Sequence, residues 1–250
     1  MNYVRFERDG TPTWGTVKGD KIFALTVPPY EGVRYDGTSL PLADCKLLAP
    51  CQPGKIVCIG KNYYDHAVEM NEGIPEHPIL FLKGPNTVNC HEGNLHAPDF
   101  VKRLDYEGEL AVVISRRAKD VKAEDFTDYV LGYTCLNDVT ARDIQKGDGQ
   151  WFRGKSMDGF APFGPWICDE VDPADLQIET RLNGNTVQSS RTSQLMHGIG
   201  ELLEYITASM TLEPGDIIAT GTPAGIGPMH PGDIVEVEIQ GIGVLRNHVI

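Results

Sequence analysis

Apolar and polar positions along this chain alternate or run together in short stretches, and few stretches repeat at helical spacing. Near the amino terminus, Tyr3-Val4-Arg5-Phe6, Thr13-Trp14-Gly15-Thr16-Val17 and, after a Gly19-Asp20 turn, Ile22-Phe23-Ala24-Leu25 read as a small β meander over residues 2–27. A Pro-rich polar stretch follows, from Pro28-Pro29 through Pro41 to Pro50 and Pro53, and leads into the apolar run Ile56-Val57-Cys58-Ile59. A boundary is therefore expected near residue 53, with a small N-terminal β domain and linker over 1–53 and the main domain over 54–250. Within the main domain, residues 110–114, 129–136, 176–182, 216–219 and 234–239 suit strands, and Asn183-Gly184 signals a type I′ hairpin. Helices are expected only at 63–70, 123–128, 140–146 and, as an amphipathic segment, 200–209. The pattern predicts an α+β fold, mainly β, with few short helices.

Composition narrows the function classes. The 250 residues exceed one typical domain and fall short of two, and 22 Lys plus Arg against 35 Asp plus Glu leave a net charge of −13. Phosphate backbones and anionic membranes are poor partners for such a chain, so neither nucleic acid nor a membrane is expected. No run approaches the ~18 apolar residues of a membrane span. Residues 1–10 hold two Arg and two acids without an apolar block, which predicts neither a secretory nor a transit segment and makes the cytoplasm the expected compartment. The six Cys, at 45, 51, 58, 90, 135 and 168, form no C-x-x-C, and buried thiols are expected rather than disulfides or zinc ligands.

Several constellations could carry chemistry. Glu107 and Glu109 open an apolar strand, where a period of two puts both on one face. On spacing alone a solvated edge explains them, but Asp138 stands at the end of another apolar strand. Three carboxylates at strand ends would make a hard oxygen site suited to Mg²⁺ or Mn²⁺. Taken alone, Asp138 reads equally as the N-cap of the helix after it. His66 and Glu69, at i and i+3 after the strand at 56–59, can pair so that the carboxylate orients an imidazole base. The other histidines, at 77, 91, 96, 197, 230 and 248, read as surface or structural, without such a partner at helical spacing.

Gly149 to Ser156 fits the G-x-x-x-x-G-K-[ST] pattern of a phosphate loop, but the flanks are wrong: 141–149 is polar, and 157–166 contains Pro162, Pro165, Gly159 and Gly164. Lys155 is instead expected as a cation near the three acids, able to polarise a substrate oxygen. The Gly-rich stretch 219–227 could grip a carboxylate with backbone donors or be an ordinary turn. The segment from Asn62 to about Pro78 is expected to act as a lid, since it carries His66 and Glu69 between Gly60 and Gly73.

Taken in order, these residues resemble the fumarylacetoacetate hydrolase family over about residues 55–250. The motifs are Asn62-Tyr63 with His66 and Glu69, Phe81-Leu82-Lys83, Asp105-Tyr106-Glu107-Gly108-Glu109-Leu110, Asn137-Asp138 with Ala141-Arg142-Asp143 and Gln145, Lys155-Ser156, and Thr220-Gly221-Thr222-Pro223 with Gly225 and Gly227. Residues 1 to about 50 resemble the small β domain that precedes the catalytic domain in some short bacterial members. The resemblance implies a β-roll-like catalytic domain, usually a homodimer, with Mg²⁺ or Mn²⁺ on Glu107, Glu109 and Asp138. It also implies a 2-oxo or 2,4-dioxo acid substrate held by Arg142, Gln145, Lys155 and Thr222, and water activation by His66 and Glu69. One departure stands out: the family's tyrosine-degradation enzyme has a fourth metal-binding acid shortly upstream of the dyad histidine, and residues 55–64 contain no acid.

The expected activity is metal-dependent cleavage of a carbon–carbon bond through an enolate, of acylpyruvate or fumarylpyruvate hydrolase type. The alternatives are an oxaloacetate decarboxylase, a 2-hydroxyhepta-2,4-diene-1,7-dioate isomerase, or a catalytically silent metabolite-binding protein, because fold alone does not choose among them.

Overall fold

The computed structural model describes residues 1–69 and 75–250. β1 (Asn2–Arg8), β2 (Thr11–Lys18) and β3 (Lys21–Leu25) form the expected antiparallel meander. The polar stretch after it is not plain linker. It contains β4 (Tyr35–Pro41), paired to β3, and the two-residue β5 (Leu47–Leu48), paired to β1. β4 is largely exposed and polar, which is how an edge strand avoids further pairing and why hydrophobic alternation did not reveal it.

The main region begins with β6 (Ile56–Gly60), buried along its whole length. After it come α1 (Tyr64–Glu69), β7 (Ile79–Lys83) and the short β8 (Val88–Asn89) and β9 (Asn94–Leu95). β10 (Leu104–Tyr106) and β11 (Gly108–Ile114) lead to β12 (Val130–Asn137) and β13 (Thr140–Ala141). Two short helices, α2 (Arg142–Gly147) and α3 (Phe152–Lys155), precede β14 (Ala161–Cys168). The remainder is β15 (Gln177–Leu182), β16 (Asn185–Arg191), α4 (Ile199–Ser209), β17 (Ile217–Ala219), β18 (Gly227–Met229), β19 (Ile234–Ile239) and β20 (Gly243–Val249). Asn183 and Gly184 both take positive φ, 52° and 77°, between β15 and β16, as a type I′ turn requires.

The α+β, mainly β expectation holds. A large sheet runs β4-β3-β2-β1-β14-β12-β11-β17-β6-β7, so the N-terminal strands continue the main sheet through the pairing of β1 with β14. A second sheet, β16-β15-β19-β20-β9, packs across one of its faces. Alternate residues of β11 serve two cores. Leu110, Val112 and Ile114 meet α4 and the second sheet, while Ala111 and Val113 meet Phe163, Ile167 and Ile217. Apolar on both sides, this strand reads as a continuous hydrophobic run.

Local structure differs from expectation in places. β14, outside the expected strands, is a central strand that contains Pro162 and Pro165; the ladder to β12 is interrupted between Tyr133 and Cys135, which accommodates residues lacking an N–H donor. The segment at 123–128 is a 3₁₀ helix, Ala123–Tyr129. The helix expected at 140–146 begins at Arg142, with Ala141 rather than Asp138 before it. All six cysteines are free, with Cys51, Cys58, Cys135 and Cys168 buried. Among the described residues no helix is long and apolar enough to cross a membrane.

Candidate active site

Strand direction gathers the site at one end of the central strands of the large sheet. β12 runs antiparallel to β11 with Gly108 opposite Asn137, so Asp138 follows directly beside Glu107, to whose carbonyl its N–H donates at 2.8 Å. β17 is antiparallel to β11 and parallel to β6, which brings the loop from Thr220 and the turn from Gly60 to His66 to the same end. Asn62 joins them, its Nδ2 donating to the Thr220 and His197 carbonyls at 2.8 and 3.1 Å.

Glu107, Glu109 and Asp138 meet here, each offering a carboxylate oxygen within 4.8 Å of the others, and all three are buried. Lys155 Nζ lies 2.6 Å from both Glu107 Oε2 and Asp138 Oδ2. Asp138 therefore belongs to the carboxylate cluster and does not cap the helix. Arg142 donates through Nε to Asp105 at 2.8 Å, through Nη2 to Glu107, and through Nη1 to Gln145 Oε1 at 3.3 Å. His66 Nδ1 stands 3.0 Å from Glu69 Oε2, and Glu69 Oε1 accepts from the Gly225 N–H at 3.1 Å.

Burial would raise the Glu107 carboxyl, but the Lys155 and Arg142 charges outweigh it and hold it below the usual range. Burial also disfavours the Lys155 ammonium, yet Asp138 and Glu107 keep its pKa above the ordinary value. Glu109 differs. It accepts a neutral Gly221 N–H at 2.8 Å, and among the described residues it has no ion-pair partner. Burial, then Asp138 and Glu107, push it well above the usual carboxylate range. A cluster of hard oxygen donors with one carboxylate left uncompensated fits a small divalent cation.

His66, Glu107, Glu109, Asp138, Arg142, Gln145, Lys155 and Thr222 line one cavity of about 30 Å³, closed on the other side by Ile59, Gly60, Lys61, Phe81 and Trp151. A cleft of about 660 Å³ lies elsewhere, between Phe126, Tyr133, Val171 and Ile199. Its two acids are already engaged: Asp169 by Tyr3 and the amino terminus, Asp172 by the Ala174 N–H. The clustered acids, cations and imidazole line the smaller space.

Lys83 went unrecognised as a site residue. It is fully buried and donates to Asp138 Oδ1 at 2.5 Å and to the Val139 carbonyl at 3.0 Å. The signal was available, since a period of two along β7 puts Phe81 and Lys83 on one face. His197 was misread: its Nδ1 meets Glu201 at 2.7 Å, an i, i+4 pair. Of the expected lid, residues 70–74 lie outside the described residues; the part before them is tied down by Asn62, by a Tyr63–Leu195 bridge and by Glu69.

Around Lys155 the phosphate-loop pattern has α2 before it, α3 within it and β14 after it, not the strand and helix that such a loop needs. Buried acids at the Lys155 ammonium would repel a polyphosphate. Equilibrium dialysis is expected to show no micromolar binding of ATP or GTP, and such binding would refute this reading of the motif.

Residues 55–250 match the family model described as fumarylacetoacetate (FAA) hydrolase C-terminal, and residues 1–50 match one described as Rv2993c-like, N-terminal. The oxaloacetate tautomerase YisK of Bacillus subtilis is 46% identical over 252 residues, covering 93% of this chain and 84% of that protein. The mitochondrial oxaloacetate tautomerase Fahd2a of Rattus norvegicus is 39% identical over 223 residues, covering 84% and 71%. A crystal structure of 2-hydroxyhepta-2,4-diene-1,7-dioate isomerase from Mycobacterium marinum superposes with a TM-score of 0.94 at 42% identity, over 100% of this chain and 98% of that one.

Proposed function

This chain belongs to the fumarylacetoacetate hydrolase family, whose members are enzymes, and on that premise we propose that it moves a proton at the carbon beside the oxo group of a small 2-oxo acid. The supporting observation is that a three-carboxylate cluster, the buried cations Arg142 and Lys155 and a carboxylate-held imidazole line one cavity. Glu107, Glu109 and Asp138 would hold Mg²⁺ or Mn²⁺. Such an ion supplies Lewis acidity toward the oxo and carboxylate oxygens of a chelating acid.

The chain's own groups then divide the work. Arg142 and Gln145, already bonded to each other, orient the substrate carboxylate. Lys155, buried yet charged, donates to the oxo oxygen as negative charge grows there. With its Nδ1 turned to Glu69, His66 uses Nε2 to take a proton from the substrate carbon and return it. Transfer of that proton to His66 and of one proton from the Lys155 ammonium to the oxo oxygen gives the enol; the reverse transfers restore the keto form. A homodimer with a small-molecule acid as its partner, acting in the cytoplasm without nucleic acid or membrane, belongs to the same proposal.

Carbon–carbon cleavage is the second reading, because an imidazole held by a carboxylate activates water as readily as it takes a carbon-bound proton. One experiment separates them: oxaloacetate keto–enol exchange, acetylpyruvate and fumarylpyruvate hydrolysis, and oxaloacetate decarboxylation, each followed with Mg²⁺ or Mn²⁺. Metal-stimulated tautomerisation is expected to be fastest. Cleavage without tautomerisation would install the second reading, and turnover of no substrate would leave a metabolite-binding protein.

A further inference from the structure

Gln188 lies on β16 in the second sheet, 1% exposed, and its side chain reaches across to the acidic end of the large sheet's central strands. Its Oε1 accepts the Gly108 N–H at 3.0 Å, and its Nε2 donates to Thr222 Oγ1 and to the Pro223 carbonyl, both at 2.8 Å. An N–H donor on one side and a carbonyl acceptor on the other fix which way the amide faces. Thr222 Oγ1 in turn donates to the Gly108 carbonyl at 2.9 Å. The three groups close a ring around Gly108, the residue between Glu107 and Glu109.

Two close approaches show that the crossing is built in. A Cβ at Gly108 would come within 2.1 Å of Thr180 Oγ1 and 3.3 Å of Gln188 Oε1. Gly225, at φ +102°, lies so near β16 that a Cβ would sit 2.1 Å from the Val187 carbonyl oxygen. The loop held in this way also donates from Gly221 to Glu109 and from Gly225 to Glu69. Its position therefore sets the spacing between the acidic cluster and the His66–Glu69 pair.

We propose that Gln188 is a positioning residue: through Thr222 and Pro223 it fixes the loop at 220–225 against the strand carrying Glu107 and Glu109, and so sets the gap that receives the oxo acid. The Thr222 hydroxyl hydrogen is already committed to Gly108, so Thr222 serves the substrate through its place in the loop. This rests on the 2-oxo acid reading, with oxalate as the probe.

The test is a double-mutant cycle of Gln188→Leu and Thr222→Val, with calorimetry of Mg²⁺ and then of oxalate at saturating Mg²⁺, and hydrogen exchange of the 221–225 amides without ligand. Each single variant is expected to weaken oxalate at least tenfold more than it weakens Mg²⁺, and to speed exchange in the loop. The double variant should match the singles, because both cut one chain of contacts. Additive losses, equal losses of Mg²⁺ and oxalate, or unchanged exchange would overturn the proposal. Gln188→Glu, which keeps the acceptor toward Gly108 and loses both donors, decides the matter if the Leu variant does not fold. Should the parent itself fail to bind oxalate, the functional reading falls, while the exchange rates still decide on Gln188.

Discussion

Turnover of the His66→Gln variant is expected to fall ~10²–10⁴-fold in the reactions that need a base, the range a positioned general base contributes. Those are proton exchange at the carbon beside the oxo group and hydrolysis of an acylpyruvate. Decarboxylation of oxaloacetate should fall clearly less, because it calls mainly on charge stabilisation by Lys155 and a bound cation. Glutamine keeps the polarity and roughly the size of histidine without a titrating nitrogen, so the Mg²⁺ affinity should stay that of the parent. Glu69→Gln should lie between the two, since it loosens the imidazole that it orients at 3.0 Å. Parallel kcat measurements on the three reactions, with calorimetry for Mg²⁺, check this. Equal slowing of all three at intact Mg²⁺ affinity would remove the assignment of His66 to proton transfer.

The second large effect is at Glu109. Substitution by Gln takes away one of three carboxylates that would hold the cation, and Mg²⁺ affinity should fall by at least ~10²-fold, since merely disturbing partners behind a ligand costs roughly 10–100-fold. Without metal the same change should stabilise the protein at pH above the ordinary carboxylate range, since it removes a poorly compensated buried charge. The sign follows from the raised carboxyl. A group held above its unfolded value contributes stability below that value and loses it as pH rises through the folded one. Metal-free parent protein should thus weaken more steeply than Glu109→Gln as pH rises from the ordinary carboxylate range, and its Mg²⁺ affinity should climb over the same range as the proton leaves. Thermal melts and calorimetry across pH test both halves. A destabilised metal-free variant, or Mg²⁺ affinity independent of pH, would contradict the charge account of the cluster.

Much of this was legible before any coordinates. The apolar run at 110–114, the Asn183-Gly184 turn and the meander at 2–27 are signals between near neighbours, and the strands formed where those signals pointed. His66 and Glu69 were legible for the same reason, being one helical turn apart. His197 and Glu201 carried an equally local signal that was passed over.

What the sequence could not decide is what each charged side chain would face. Asp138 read equally as cap or ligand, and only the β11–β12 register with Lys83, 55 residues away, and Lys155, 17 away, made it part of the site. Gln188 lies 80 residues from Gly108 and 34 from Thr222, separations that no periodicity spans. Pro162 and Pro165 lie in a segment outside the expected strands that tertiary pairing nevertheless made one, and the polar 35–41 segment became a strand because an edge needs no apolar face. By itself the sequence determined the local backbone states and the supply of acids, bases and cations, because those depend on neighbours within a turn or a pleat. The tertiary structure alone decided which of those groups share a low-dielectric cavity, because strand order and register bring together residues that the chain keeps far apart.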